Sequence, residues 1–196
     1  MVDPENITDY DLCNNELEER LLFWVCAAGK NGRTAARCLD VFLELMSCEG
    51  SPFACIREHG VARTPPPLPY ILRAAGIGCY TSKARTFTEV SNAGLNLRTC
   101  TVEDLEKVYG IGMKTSRCFI IHSRLGARHA GLDTHLLKYL RAEGIEDVPK
   151  STPSSKKQYL RLEKEFLRMA DEQGKLPSVL DLEIWNKYSV KSTPGT

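Results

Sequence analysis

A three-residue turn, Gly110-Ile111-Gly112, joins two amphipathic stretches and restricts the fold of this chain more than any other feature. Glycine permits a tight reversal of the backbone and a close approach to a neighbouring group. Apolar residues recur at helical spacing on both sides of the turn, namely Leu105, Val108, Phe119 and Ile120. We therefore predict a hairpin of two helices in which Ile111 is buried and fixes the turn.

The remaining chain is predicted to form short helices separated by Gly and Pro. Helical spacing of apolar residues marks the ranges 17–28, 33–46, 51–56, 69–76, 82–93, 101–108, 113–125, 134–143, 152–174 and 177–185. Thr101 and Asp104 resemble a capping box, and Trp24 is assigned to the apolar stripe of the first helix. No run alternates with the period of a strand, so the prediction is an all-α fold with a frayed tail after Tyr188.

Composition is that of a globular protein, with 42% hydrophobic and 26% charged residues among 196. No apolar run approaches the roughly 20 residues that span a bilayer. The acidic, polar start does not resemble a targeting signal. We expect an intracellular protein, in the cytoplasm of a prokaryote or phage-infected cell or in a nucleus, with no membrane contact.

Eight cysteines are present, none in a CxxC pair, and the last is Cys118. Several fall on apolar helix faces, where a free thiol behaves as a small hydrophobe. We predict buried, reduced cysteines, no disulfide, no metal site and no cofactor.

Positive charge is concentrated around the glycine turn. Residues 1–62 carry 5 Lys/Arg and 11 Asp/Glu, residues 63–141 carry 12 and 5, and residues 142–196 carry 9 and 9. A helix N-terminus behind a glycine turn favours an anion, so a DNA phosphate fits there. The predicted DNA-binding residues are Gly110, Ile111, Gly112, Met113, Thr115, Lys83, Lys30 and Asn31. Alternatively, the charge asymmetry marks only a solvated face.

A lysine and an aspartate stand near the turn. Lys114 follows it directly, and Asp133 comes 19 residues later at the start of another helix. Alone, Asp133 is an ordinary N-cap and Lys114 a solvated or phosphate-binding lysine.

Together, the hairpin, Lys114 and Asp133 resemble the helix-hairpin-helix DNA glycosylases of the endonuclease III and 8-oxoguanine glycosylase superfamily. The resemblance covers residues 70–142 well, including Ile77–Ala84. It implies two lobes, residues 24–127 and residues 1–23 with 128–196, with the active site in the cleft between them. It also implies a flipped nucleotide and a catalytic pair in which Lys114 attacks C1′ and forms a Schiff base, assisted by Asp133.

The sequence departs from this family at several points. No cysteine follows Cys118, so the iron–sulfur cluster of the endonuclease III branch is not expected, and cluster-free relatives are the better comparison. Tyr109 stands where the family commonly has proline. Lys30 or Asn31 would fill the gap left by the flipped base, or else Gly29 simply ends the first helix.

The substrate is the least determined feature. Asp181 and Trp185 fall where cluster-free relatives read the base, although both also suit an amphipathic terminal helix. We expect a monomer that acts on double-stranded DNA as a DNA glycosylase and AP lyase. The favoured target is an oxidised purine such as 8-oxoguanine. The alternatives are a non-catalytic DNA-binding module and an enzyme of this fold that modifies pyrimidines in DNA.

Overall fold

The structure, a computed structural model, describes residues 2–61 and 66–189. Within these ranges it consists of helices and contains no strand, which confirms the all-α prediction. The helices are α1 (Asn14–Ala27), α2 (Gly32–Leu45), α3 (Pro52–Val61), α4 (Leu68–Ala74), α5 (Tyr80–Asn92), α6 (Val102–Glu106), α7 (Met113–Ser123), α8 (Thr134–Ala142), α9 (Lys156–Glu172) and α10 (Pro177–Ser189). None of those described combines the length and apolar character of a membrane-spanning helix.

The chain divides into two units. The first consists of Met1–Pro4 and Asp11–Phe119 and contains α1 to α6 with the first part of α7. In it, α1 packs against α2, α3 and α5, and α5 packs also against α3 and α4. Phe42 and Phe87 meet edge to face in its core, with ring centroids 5.4 Å apart. This core supports α5, on which the glycine turn rests.

The second unit consists of Glu5–Tyr10 and Ile120–Thr196. Its helix α10 packs against α8 and α9. The buried side chains of this unit include Leu136, Leu137, Leu140, Tyr159, Leu162, Phe166 and Ile184. They follow the helical spacing of the sequence, so each helix of this unit buries one apolar stripe.

Several helix limits differ from the predicted ones. Helix α6 ends at Glu106 rather than Val108, because the N–H of Val108 donates to the carbonyl of Leu105 in a tighter turn. Helix α9 begins at Lys156, since Ser155 is its N-cap and accepts from the N–H of Gln158. Helices α3 and α10 run further than predicted, and residues 190–196 of the tail lie outside the described residues.

Two other predictions need correction. Trp24 is half-buried instead of lying in the core, whereas its neighbours Phe23 and Val25 are buried. All eight cysteines are free, but Cys13 and Cys79 are exposed, so the prediction of buried thiols was wrong for these two. Cys79 lies at the N-cap of α5 with a φ of 52°, in a corner of the chain that faces solvent.

Candidate nucleic-acid-binding hairpin and lysine site

The first helix of the hairpin begins with the predicted capping box. Thr101 Oγ1 accepts from the N–H of Asp104 at 3.1 Å, and Asp104 Oδ2 accepts from the N–H of Thr101 at 3.1 Å. Lys107 Nζ donates to Asp104 Oδ1 at 2.9 Å. The bond from Lys107, followed by the two from Thr101, lowers the pKa of Asp104 to about 2. The capping box therefore keeps its charge over the whole physiological pH range.

A buried ion pair joins the two helices of the hairpin. Nη1 of Arg117, on α7, donates to Oε1 of Glu106, on α6, at 2.5 Å, and its side chain is only 2% exposed. Ser116 Oγ donates to the same carboxylate oxygen at 3.1 Å. A buried guanidinium is tolerated only when such partners are present. Sequence reasoning missed this pair, although Glu106 and Arg117 flank the turn almost symmetrically.

The two glycines of the turn meet different surroundings. Gly110 has a φ of +80°, and a methyl group added to it would overlap Thr86 Oγ1 of α5. Gly112 has open space where a methyl group would be placed. Ile111 is 3% exposed, which confirms the prediction that it is buried. Gly110 therefore seats the turn on α5, whereas Gly112 leaves the backbone open to an approaching group.

Tyr109 is held by three side chains of α5. Its N–H donates to Glu89 Oε2 at 3.0 Å, and its hydroxyl accepts from Ser82 Oγ at 3.3 Å. Arg85 lies over its ring, 3.9 Å from the centroid, and donates to Glu89 Oε1 at 2.7 Å. The bond from Arg85, and then that from Tyr109, lowers the pKa of Glu89. Tyr109 thus brings a backbone N–H donor that α5 satisfies.

Helix α7 starts directly behind the turn, and the N–H of Ser116 donates to the carbonyl of Gly112 at 3.1 Å. The first turn of any α-helix carries N–H groups that have no acceptor within the helix, and its dipole favours an anion. Gly110 and Gly112 are exposed and Met113 is half-buried, while Thr115 is buried. The backbone of Gly110 to Met113 is therefore the part of the hairpin that can approach a phosphate.

Lys114 lies in the first turn of α7 and is half-buried. Its Nζ lies over the ring of Trp24 on α1, 5.1 Å from the ring centroid. Trp24 in turn meets Phe23 edge to face, with centroids 5.0 Å apart. The predicted nucleophile is thus placed against an aromatic face of its own unit.

The other predicted DNA-binding cations are already engaged in the first unit. Lys83 is 7% exposed, and its Nζ donates to the carbonyls of Cys26 at 2.9 Å and Ala28 at 3.3 Å, at the end of α1. Burial lowers the pKa of Lys83. This position differs from the exposed one that a phosphate contact needs. Nζ of Lys30 donates to the carbonyl of Gly76, and Asn31 accepts from two N–H groups as the N-cap of α2.

Asp133 belongs to the second unit and is the N-cap of α8. Its Oδ1 accepts from the N–H groups of His135 and Leu136, both at 2.8 Å. The ordinary capping interpretation of Asp133 is therefore confirmed. A carboxylate has two oxygens, and only Oδ1 is used by this cap.

Side chains of α9 and the preceding loop fix the segment that leads to Asp133. The hydroxyl of Tyr159 donates to the carbonyl of Ala130 at 2.7 Å and accepts from the N–H of Leu132 at 3.1 Å. Glu163 accepts from the N–H of Ala130 at 3.0 Å, and Thr152 donates to the carbonyl of Leu132 at 2.8 Å. These buried bonds leave the backbone before Asp133 little freedom. The sequence showed Tyr159 only as an apolar stripe residue.

Asp181 and Trp185 both lie on α10 in the second unit. Asp181 Oδ2 is 3.1 Å from Nε2 of His122, whose Nδ1 is 2.7 Å from Thr8 Oγ1. His122 is 2% exposed, so this network is internal, and Asp181 has a protein partner in it. Trp185 is half-buried.

The described residues contain no group of three or more His, Cys, Asp or Glu side chains arranged to hold a metal ion. The candidate site consists of the glycine hairpin and Lys114. Residues that sequence reasoning missed near this site are Trp24, Arg85, Thr86, Glu89, Glu106 and Arg117. Of these, only the acceptor Glu89 had a signal in the sequence, because the backbone N–H of Tyr109 requires an acceptor whereas a proline would not.

No family model matches the chain. Solved structures do. The 8-oxoguanine DNA glycosylase of Thermotoga maritima aligns with a TM-score of 0.68 and 23% identity, over 93% of this chain and 83% of that one. The 8-oxoguanine DNA glycosylase of Methanocaldococcus jannaschii aligns with a TM-score of 0.66 and 20% identity, over 91% of this chain and 80% of that one. The M. jannaschii 8-oxoguanine glycosylase/lyase has also been solved in complex with a 15mer DNA containing 8-oxoguanine. That structure aligns with a TM-score of 0.66 and 20% identity, over 93% of this chain and 85% of that one. The chain therefore has the all-α fold of these proteins, as its sequence predicted.

Proposed function

We propose that this protein is a DNA glycosylase with AP lyase activity, in which Lys114 is the nucleophile. The observation that carries the proposal is the position of this lysine. It stands in the first turn behind a glycine hairpin that can hold a phosphate, in a chain with the fold of 8-oxoguanine DNA glycosylases. A hairpin that only binds the DNA backbone needs no lysine held against an aromatic ring.

The proposed reaction begins with the neutral amine. Nζ of Lys114 attacks C1′ of the flipped nucleotide while the C1′–N bond breaks, and the bonding pair leaves with the base, which takes up a proton. The new C1′–Nζ centre loses a proton. The nitrogen lone pair then opens the C1′–O4′ bond, and O4′ takes up a proton, which gives an iminium with a hydroxyl at C4′. Removal of a C2′ proton then expels the 3′ phosphate, which cuts the strand 3′ to the lesion.

Asp133 is proposed to assist this chemistry. A carboxylate can accept the proton that Lys114 must lose and can stabilise positive charge that develops on the sugar. The position of Asp133 as the N-cap of α8 supports this catalytic role, because the two N–H bonds that Oδ1 accepts fix the orientation of the carboxylate. A fixed carboxylate needs no reorganisation at the moment of reaction.

DNA binding is proposed to rest on the backbone of Gly110 to Met113, which would hold one phosphate at the N-terminus of α7. We therefore expect affinity to fall as salt rises. Equal affinity at about 50 and 200 mM salt would contradict this mode of binding. The favoured substrate is an oxidised purine such as 8-oxoguanine, the base that the structurally similar proteins are named for.

Borohydride trapping tests the lyase proposal. The wild-type protein is incubated with a duplex that carries one abasic site, and sodium borohydride is added to reduce any iminium to a stable adduct. We expect a covalent adduct with the wild type and none with Lys114→Gln. No wild-type adduct, under conditions where a known lyase gives one, would overturn the proposal and favour a binding module.

A panel of duplexes tests the substrate. Each duplex carries one oxidised purine, one oxidised pyrimidine or one hydroxymethylated pyrimidine, and base release is measured by mass spectrometry. Release of an oxidised purine supports the proposal. A pyrimidine that gains or loses mass without leaving the strand would instead indicate an enzyme that modifies bases.

A further inference from the structure

The contact between Trp24 and Lys114 is unexpected for a core tryptophan. Trp24 is half-buried on α1, whereas the flanking Phe23 and Val25 are buried, so its ring lies at the edge of the core. The ring instead has Nζ of Lys114 over it, at 5.1 Å from the centroid. This distance is within the roughly 6 Å over which a cation is attracted by the face of an indole.

We propose that Trp24 is a positioning residue for Lys114, which holds the amine against its ring face and stabilises the positive charge that passes through Nζ during the reaction. The proposal rests on the proposed lyase function and adds a residue to it. Trp24 acts through Lys114 and need not touch the substrate.

The charge argument follows the nitrogen through the reaction. Attack by the neutral amine on C1′ turns Nζ into a cationic centre, and the iminium formed after ring opening carries the charge again. Each cationic species on Nζ gains the attraction of the indole face, whereas the neutral amine does not. Once the neutral amine has formed, the ring therefore favours the covalent intermediates, although it attracts the resting ammonium in the same way.

The geometric argument concerns the freedom of the lysine. A lysine side chain has four rotatable bonds, and a nucleophile must be held in a narrow range of positions to react quickly. The ring of Trp24 provides a flat surface against which the end of the Lys114 side chain lies, and both residues belong to the first unit. Trp24→Leu keeps an apolar side chain at this position but removes the flat ring and its quadrupole.

The test compares Trp24→Leu and Trp24→Phe with the wild type. Two quantities are measured on full-length protein: the single-turnover rate of borohydride-trapped adduct on abasic duplex, and the affinity for a duplex with a tetrahydrofuran site. We expect the Trp24→Leu rate to fall roughly 3- to 30-fold, the range that a cation–π contact of ordinary strength supports. Trp24→Phe should retain most of the rate, and the affinity should stay within about twofold in both.

The matched control is Tyr70→Leu, which removes an exposed aromatic ring of the same unit. It should leave the rate and the affinity unchanged. If Trp24→Leu forms adduct at the wild-type rate, or if its rate and affinity fall together, Trp24 is not a positioning residue. If the wild type itself gives no adduct, the proposed lyase function fails instead, so the two failures are distinct.

Fluorescence provides a readout that does not depend on the folding of Trp24→Leu. The chain has two tryptophans, so Trp185→Phe leaves Trp24 as the only tryptophan, whose emission is excited selectively at the red edge of the absorption band. We expect Lys114→Met in this background to change the emission of Trp24, because the cation over the ring is removed. Unchanged emission would overturn the proposed contact.

Discussion

The backbone N–H of Tyr109 donates to Oε2 of Glu89 at 3.0 Å, so that the glycine turn is tied to α5 by a carboxylate. Arg85 lies between the two, since it donates to Glu89 and covers the ring of Tyr109. A proline at this position would have no N–H to donate. Glu89 and Arg85 together form a side-chain clasp that holds Tyr109 on α5.

Substitutions at Glu89 test the clasp. In Glu89→Gln the amide oxygen still accepts from Tyr109, so we expect a melting temperature close to that of the wild type. In Glu89→Ala the N–H loses its acceptor and Arg85 its partner, and we expect a fall of about 2 °C. Calorimetry on both variants measures the difference. Equal melting temperatures for the two would show that the bond to Tyr109 contributes nothing.

Asp133 has a capping role that can be separated from the proposed catalytic role. Asn is as good an N-cap as Asp, so Asp133→Asn should keep the stability of α8 while it removes the charge. We expect its rate of adduct formation to fall about 10²- to 10⁴-fold. Asp133→Ala should lose the same activity and also about 1 kcal/mol of stability. Near wild-type trapping in Asp133→Asn would restrict the residue to its cap.

The two glycines of the turn should respond differently to alanine. Gly110→Ala introduces a methyl group against Thr86 at a φ of +80°, and we expect a loss of about 1–3 kcal/mol of stability. Gly112→Ala has room for its methyl group in the free protein, so stability should change little. Its methyl group would still obstruct a phosphate, and affinity for duplex DNA should drop. Denaturant unfolding and binding titrations on both variants decide this, and a stable Gly110→Ala would refute the packing argument.

Lys83 is expected to act on stability and not on DNA. Lys83→Met removes the donor to the carbonyls of Cys26 and Ala28, which leaves polar groups near the end of α1 without this partner. We expect a loss of about 1–3 kcal/mol in denaturant unfolding. The salt dependence of DNA binding and the trapped adduct should be retained. A weaker salt dependence in Lys83→Met would instead show that Lys83 contacts a DNA phosphate.

The capping box of α6 should be sensitive to acid only at very low pH. The folded pKa of Asp104 is lowered to about 2, so its contribution to stability is fully present above its usual pKa. That contribution is lost as the pH falls from about 4 through about 2. Carboxyl chemical shifts followed by NMR would show the titration. In Lys107→Met the midpoint should move upward, because the bond from Lys107 is the largest cause of the shift; an unmoved midpoint would contradict that cause.

The helical pattern of the sequence predicted the fold because each helix buries an apolar stripe of its own. The hairpin could be predicted for the same reason, and Ile111 is buried as expected. Helix ends were less accurate, since they depend on single bonds such as the cap at Ser155. The periodicity also placed Trp24 in the core, because spacing alone does not distinguish the centre of a stripe from its edge.

The surroundings of the lysine site could not be predicted, since they depend on contacts between helices that are distant in sequence. Glu89 reaches a turn 20 residues away, and Lys83 reaches the end of α1. Lys83 shows the limit most clearly. Its motif resembles a segment of DNA-binding enzymes, and a lysine there suggests a phosphate contact, yet three-dimensional packing turns the ammonium inward.

The buried pair of Glu106 and Arg117 has a consequence for how the protein meets its ligand. The two helices are joined by an internal bond, so the hairpin is already formed in the free protein. A phosphate would then meet amides that need no ordering, and association would lose little conformational entropy at this point of the fold. Arg117 counts among the basic residues of the sequence, but its guanidinium is buried and bound to Glu106. Fewer cations therefore face solvent than the formal charge suggests, and fewer counterions would be released when DNA binds.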